Sequence, residues 1–485
     1  MVTDTSRGTP GAGLGVRDWL VLVTLCGATF VTGLDFSIVT VALPEIGRDL
    51  GFASTSDLQW VSTACVLPTA ALLPLFGRLS DLTGRRRLFL AGVAGFDVMS
   101  LVAGLVASPG MLVAARAGQG IAAAAIGATA IALMTSAFPE GPRRTRALGV
   151  NGAILSLGFV AGTIGGGVVT SGLSWRWTMG VLVVIGVAVL AGGLTLLPGT
   201  EVRAATRLDV PGALLAGAGL FALVYAISGG AAAGWRGVAV LAAAVLLGAF
   251  FAVEARHPSP LVPLGLLGRP TVKWSFLVGV VTFGMCGGTT VLLSVYMQDV
   301  LGLSALATGF GFLGEGVAAL VAGGIAARFI GARGVVPALA AGLLAQAAGT
   351  GAMVFLPVGG NLPLLVATSA AMGFGHVLAV VAFVTTLTSG LRDDEQGVAG
   401  GLAQMPQFVG SIGVAGLAAV ADARAGALDG ALDGALDGGA AQALLGGLHA
   451  AVLVAALVLL AAVPIAAIFL RGTGVASPAQ RDLGA

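Results

Sequence analysis

The chain is a succession of long apolar runs divided by short hydrophilic turns. Runs long enough to cross a bilayer as helices lie near 18–44, 58–76, 88–107, 110–137, 146–171, 176–197, 210–230, 237–253, 274–298, 304–327, 335–356, 362–389, 396–420 and 448–470. The first follows a polar, glycine-rich stretch and is too long for a signal-peptide core, so it is expected to remain as a helix. The pattern predicts an all-α integral membrane protein with 14 transmembrane helices.

An even number of spans puts both termini on one side. Assigning the turns alternately, one side collects nineteen of the 24 basic residues, a bias that marks it as cytoplasmic. A wrong helix count would scramble that asymmetry. Trp175, Trp177 and Trp235 fall at the opposite ends of their helices, as interfacial aromatics often do. A multi-pass protein of the inner (plasma) membrane is expected, with cytoplasmic tails at 1–17 and 472–485.

Composition narrows the class further. Hydrophobic residues make up 57%, charged residues 9%, and mean hydropathy is +1.01, against about 25% charge in soluble domains. A water-soluble surface could not be built from this chain. The net charge of +2 and the lack of a long basic tract give no support to nucleic-acid binding. Cys26, Cys65 and Cys286 sit in apolar runs and are expected as packing residues rather than a disulfide framework. Glycine, at 78 of 485 residues, is about twice its usual share. Small residues let membrane helices approach closely, which suits interfaces that slide.

Between the second and third runs stands Gly77, Arg78, Leu79, Ser80, Asp81, Leu82, Thr83, Gly84, Arg85, Arg86 and Arg87, of the form G-x-x-x-D-x-x-G-R-R-R. An ordinary basic loop would explain the arginines but not the spacing of glycines and aspartate. A weaker copy, Gly324 to Arg333, follows the tenth run at a constant offset of 247 residues, with Arg328 where Asp81 stands. Either this is chance similarity of two basic turns, or the chain holds two six-helix bundles plus an inserted pair near 209–254. The second alternative divides it into bundles at 18–200 and 258–471 around inserted helices and linkers at 201–257. A four-residue Ala-Leu-Asp-Gly period, present three times at 427–438, lacks the ligand spacing of an EF-hand and is expected in a solvated extracellular loop, 421–447.

The stretch Gly77 to Arg87 resembles the turn between helices two and three of the major facilitator superfamily. Further stretches resemble its fourteen-helix drug:proton antiporter branch: Leu34 to Pro44 at the end of helix one, Arg116-Ala117-Gly118-Gln119-Gly120 in helix four, and Gly158-Phe159-Val160-Ala161-Gly162-Thr163-Ile164-Gly165-Gly166 in helix five. Ser174 to Trp177, and Glu395 through Gly410, fit as well. The order and topology of these stretches carry the resemblance more than any one of them. It implies secondary active transport by two rocking bundles around a midplane site, with Gly158, Gly162, Gly165 and Gly166 as a helix-packing motif. It also implies that Gly77, Asp81, Gly84, Arg85 and Arg86 make conformation-dependent contacts between bundles. One departure is Thr163, where the antiporter motif usually carries proline, so the bend of helix five is open.

Ionisable groups inside spans are costly and are functional candidates. Asp35, Arg116 and Glu315 are the candidates for proton coupling, with His376 as a fourth. A desolvated carboxyl holds a proton and releases it when water, substrate or a cation arrives, whereas Arg116 keeps its charge and can only bias carboxylates. The alternative for Asp35 and Arg116 is a static pair or helix-capping bond that holds the bundle together. Glu315, between Gly314 and Gly316, is expected to be reachable by water or substrate. His376 suits either a proton relay or a cross-helix bond, and Asp97 suits support against a neighbouring helix. Gln119, Gln404 and Gln407 are candidates for the substrate cavity, the last two alternatively for polar contacts between helices. No metal-ligand cluster and no P-loop is present in the sequence, so neither metal, ATP nor another cofactor is expected. The expected partners are a small organic substrate, protons and lipid, with the protein acting as a monomer. Uptake by proton symport, and a non-transporting membrane sensor or scaffold, are the competing readings.

Overall fold

The computed structural model describes residues 15–52, 55–199, 209–227, 233–257, 264–392, 395–432 and 439–470. Residues 1–14 and 471–485, the linker residues 200–208 and residues 433–438 of the four-residue repeat lie outside the described residues. Among the described residues all regular structure is helical. In chain order the helices are α1 (Val16–Leu50), α2 (Thr55–Thr83), α3 (Arg85–Leu105), α4 (Pro109–Ala137), α5 (Pro142–Gly172), α6 (Trp175–Leu196), α7 (Val210–Ile227) and α8 (Ala233–Glu254). There follow the short α9 (Leu264–Gly268), then α10 (Pro270–Val295), α11 (Ala305–Gly311), α12 (Leu313–Arg333), α13 (Val335–Ala352), α14 (Leu362–Leu387), α15 (Gln396–Val409), α16 (Ser411–Leu432) and α17 (Gly439–Phe469).

Thirteen helical stretches among the described residues are long and apolar enough to cross a membrane. The fourteenth expected run is α7, an 18-residue helix with an apolar stretch at Leu214–Leu223. Large apolar side chains face outward on many of these helices, among them Val184, Leu241 and Leu457. Water would not tolerate such a surface, and lipid does. The inward faces are made of alanine, glycine and leucine, which keep helix axes close.

The same packing pattern occurs twice. In the first bundle α1 packs on α5, α2 and α3 on α4, and α6 on α3; in the second, α10 packs on α16, α12 and α13 on α14, and α17 on α13. The inserted pair α7 and α8 pack on each other, and α7 lies along α2. Trp60 of α2 meets Tyr225 of α7 with ring centroids 5.8 Å apart.

The structure corrects the register of the internal repeat. Gly84 opens α3 with φ 96° and Gly334 opens α13 with φ 87°, a left-handed turn that glycine adopts without steric cost. Gly334, not Gly331, is therefore the equivalent of Gly84. The offset is about 250 residues, and Arg328 stands with Arg78 rather than with Asp81.

The expected loop at 421–447 is also corrected. Helix α16 continues to Leu432 and α17 begins at Gly439, so helix covers 421–432 and 439–447 of the segment whose composition suggested a loop. Alanine and leucine favour helix strongly, and the segment has a packing partner. A Cβ on Gly447 would meet the Ala421 carbonyl, and one on Gly446 would meet Leu428.

The thirteenth apolar run breaks into α15 and α16 at Gly410, four residues after Pro406, which removes a backbone donor. The break redirects the chain. Helix α15 reaches across to α2 and α4 of the first bundle, while α16 remains on α10 of its own.

Candidate functional site

The first buried polar cluster joins four helices of the first bundle. Arg116 of α4 donates from Nη1 to Asp35 Oδ1 of α1 at 2.6 Å and to Gln119 Oε1 at 2.9 Å, and from Nε to the Val61 carbonyl of α2 at 3.0 Å. Gln119 passes the chain on to Ser100 of α3 at 2.7 Å. Cys65 lies 3.8 Å from the other Asp35 oxygen. The side chains of Arg116 and Asp35 are 2% and 5% exposed, so the charges neutralise each other out of reach of solvent. Gln119 is fully enclosed. It orients the arginine and does not line a cavity, contrary to the sequence expectation.

The second cluster lies in the other bundle. Glu315 near the start of α12 is half-buried, and its Oε2 has no hydrogen-bond partner among the described residues. Its flanking glycines serve packing rather than solvent access: a Cβ on Gly314 would lie 2.8 Å from Val366 of α14, and one on Gly316 would lie 2.9 Å from Val160 of α5. Gly373 of α14 sits against Glu315 itself, with its Cβ position 2.9 Å from the Glu315 carbonyl. One turn further along α14, His376 places Nδ1 3.2 Å from Thr282 Oγ1 of α10. Thr282 bonds Gln346 of α13, whose Nε2 returns a bond to the Thr282 carbonyl at 2.9 Å.

Asp35 and Glu315 do not touch, yet both flank one stretch of α5. Phe36, beside Asp35, meets Phe159 with ring centroids 6.4 Å apart, and Gly316, beside Glu315, meets Val160. Closer to the arginine-rich end, a narrow pocket between the bundles is lined by Asn151 and Leu155 of α5, Phe283 of α10, Val380 and Val384 of α14, and Gln404 of α15. Gln407 reaches Gln404 at 3.5 Å. Asn151 accepts a bond from Thr29 of α1 at 2.8 Å.

At the arginine-rich end the bundles meet along two seams. In one, a Cβ on Gly77 of α2 would lie 2.9 Å from the Gly397 carbonyl of α15, and one on Gly401 2.9 Å from that of Leu73. In the other, Gly149 of α5 and Gly323 of α12 each approach the other's carbonyl so closely that neither has room for a side chain. Asp81 accepts a bond from the Gly397 N–H at 3.2 Å, at the positive end of α15, and is held by Arg85 at 2.9 Å. Arg85 also bonds Ser136, and Arg86 donates to the Leu194 carbonyl at 2.6 Å. The arginines thus tie α3, α4 and α6 of their own bundle, while Asp81 crosses to the other.

The glycines of α5 behave as a packing motif along α1. Added Cβ atoms at Gly158, Gly162 and Gly166 would lie 2.7, 2.6 and 3.1 Å from the carbonyls of Phe30, Leu34 and Ile38. Gly165 faces open space. At the departure from the motif, Thr163 bonds the Phe159 carbonyl at 3.0 Å and α5 runs unbroken from Pro142 to Gly172. Asp97 is buried against Gly186 of α6, and neither carboxyl oxygen has a hydrogen-bond partner among the described residues. Trp175, expected at an interface, is instead 1% exposed and bonded to Asp49.

Several residues that complete these clusters were not singled out from the sequence. Thr282, Gln346, Asn151 and Ser100 are polar residues inside apolar runs, a signal too common to discriminate. Glu140, which accepts a bond from the Gly390 N–H at 2.8 Å between the bundles, looked like part of an ordinary turn.

A profile of the Major Facilitator Superfamily matches residues 25–415. The chain is 40% identical to a cephamycin export protein from Amycolatopsis lactamdurans, over 82% of this chain and 84% of the relative. It is 36% identical to a puromycin resistance protein from Streptomyces alboniger, covering 82% and 81%, and 32% identical to a tetracenomycin C resistance and export protein from Streptomyces glaucescens, covering 86% and 78%. In fold it is similar to the crystal structure of the human organic anion transporter MFSD10 (TETRAN), with a TM-score of 0.66, 18% identity, and coverage of 93% of this chain and 100% of that one. With its two like bundles, inserted helix pair and multi-pass apolar surface, the chain belongs to the major facilitator superfamily, among relatives named for antibiotic export and resistance.

Proposed function

We propose that the protein is a proton-coupled antiporter of the inner membrane that exports a small organic molecule, with both termini and the arginine-rich end in the cytoplasm. The observation that carries this reading is a pair of membrane acids in unlike surroundings on opposite bundles. Asp35 is neutralised by Arg116, while Glu315 leaves an oxygen unpartnered. A carboxyl without donors around it is stable only as long as it carries a proton or gains water or a cation. Entry of a substrate beside it is then linked to proton release, which is the exchange an antiporter performs. Protonation of Asp35 in turn frees Arg116 from its partner and alters the packing of α1 on α4. A few kcal/mol of such linkage is enough to change which state of the bundles dominates. The membrane potential adds about 2.3 kcal/mol per charge moved per 100 mV.

The acids in an otherwise apolar interior favour amphipathic or cationic substrates, and the names of the relatives direct the first assays to antibiotics. A susceptibility panel in an efflux-deficient host, including puromycin, a cephamycin and tetracenomycin C, compares the intact protein with Asp35→Asn and Glu315→Gln. Resistance to at least one compound is expected, and loss of it in either variant. Full resistance with both acids replaced overturns the proposal. Inverted vesicles give the direction: antiport accumulates puromycin when the lumen is acidified, and symport expels it.

A further inference from the structure

The hydrogen bonds around His376 restrict what its ring can do. The Thr282 backbone carbonyl can only accept, so the Gln346 atom 2.9 Å from it must be the amide nitrogen. Gln346 Oε1 is then turned to the Thr282 hydroxyl and takes its single proton. Having spent that proton, Thr282 Oγ1 can only accept from the ring, so His376 Nδ1, at 3.2 Å, must carry a hydrogen in the neutral and in the charged ring alike. Nε2 makes no hydrogen bond among the described residues.

The position of the ring gives that free nitrogen a context. His376 lies one turn beyond Gly373, the residue that packs on Glu315, and one turn before Val380 in the pocket wall. Phe283, which also lines the pocket, meets the imidazole edge-on with ring centroids 4.9 Å apart. Other ionisable groups facing this region are Glu315 from α12 and Cys286 from α10, which interact electrostatically. The lengths of α13, α5 and α15 that border it contribute none.

We propose that His376 is a one-sided proton shuttle between Glu315 and the inter-bundle pocket, exchanging only at Nε2 because Thr282 and Gln346 hold Nδ1 as a permanent donor. The Glu315 acid gives its proton to the Nε2 lone pair, leaving a carboxylate and an imidazolium; the same N–H later delivers that proton to water or a substrate base in the pocket. Uptake and release on one nitrogen bar conduction through the ring from one face to the other. The proton crosses only when the surroundings of Nε2 change as the bundles move, a gating property that a histidine wire would lack. This role rests on the proton-coupled reading above, whereas the tautomer does not.

Two measurements test the two parts. Isotope-labelled histidine in the full-length protein, in lipid vesicles, is read by nitrogen magnetic resonance across pH; only three histidines are present, and His376→Asn identifies the signal by its loss. Nδ1 is expected to be protonated throughout while Nε2 gains and loses its proton, and Gln346→Leu is expected to let the neutral ring adopt both tautomers. A neutral ring protonated at Nε2 in the intact protein overturns the proposal. For the shuttle, His376→Asn retains an N–H for Thr282 and offers nothing at the Nε2 position. Its melting temperature is expected to stay unchanged while puromycin accumulation in acid-loaded inverted vesicles is lost, and full accumulation in this variant overturns the shuttle. If the intact protein itself does not exchange puromycin for protons, the antiport reading fails for that compound, and the resonance result still decides the tautomer.

Discussion

At the scale of single residues, the Asp35–Arg116 pair sets the largest local energies. Removing one partner of a buried ion pair leaves an uncompensated charge, at a cost of about 3–5 kcal/mol. Asp35→Asn is therefore expected to lower the melting temperature in detergent as well as abolish export. Replacing both partners, as in Asp35→Asn with Arg116→Gln, should recover part of the stability and none of the transport, and a double-mutant cycle on thermal unfolding measures the difference. Gln119→Leu should cost about 1–3 kcal/mol, because it strips bonds from both Arg116 and Ser100. Asp49, beyond the apolar part of α1, accepts bonds from Trp175 Nε1 and Arg176, which hold its carboxyl below the usual range. A depressed folded-state value means stabilisation that is complete above the unfolded value and lost as pH falls through the folded one. The melting temperatures of the intact protein and Asp49→Asn should thus differ slightly at neutral pH and converge below about pH 4. The exposed setting keeps that difference small.

At the scale of elements, glycine positions decide how closely helices run. Gly162→Ala forces α1 and α5 apart at the level of Leu34, beside Asp35, and is expected to reduce folded yield and melting temperature. The same substitution at Gly165, which faces open space, should be neutral. Gly323→Ala acts between the bundles, where α12 and α5 leave no room for a methyl group. It should open the arginine-rich end, seen as faster labelling of a single cysteine introduced at Asn151 in a background lacking Cys26, Cys65 and Cys286. Thr163 shows that a packed α5 does not require the proline of the related motif. Its helix stays regular, and its methyl group fills the approach of Gly309 on α11.

At the scale of the whole molecule, the contacts at the arginine-rich end hold one arrangement of the two bundles. Two backbone amides of the second bundle, those of Gly397 and Gly390, are bonded by two carboxylates of the first, Asp81 and Glu140. Arg144 steadies the second by bonding the Phe138 carbonyl at 2.9 Å while it pairs with Glu140 at 3.4 Å. Asp81→Asn and Glu140→Gln each weaken one tie, and the double variant is expected to favour the state open at that end. The same cysteine-labelling rate reads the shift, and an unchanged rate in the double variant refutes these ties as latches. Export should slow as well, since the return step loses its bias.

The succession of apolar runs by itself determined that the chain is helical and lies in a membrane, because length and hydropathy of each span are local properties. It also determined the candidate acids, since an ionisable residue in such a run is conspicuous one position at a time. That Asp35 and Arg116 bond directly became visible only once the helices were placed side by side. Only the tertiary structure put Gln119 inside the bundle, matched Gly84 with Gly334, carried α16 through Leu432 into the Ala-Leu-Asp-Gly segment and gathered Thr282, Gln346 and His376. Those outcomes depend on which helix faces come together and how closely glycine lets them approach, and residues on separate spans carry no local mark of their partner.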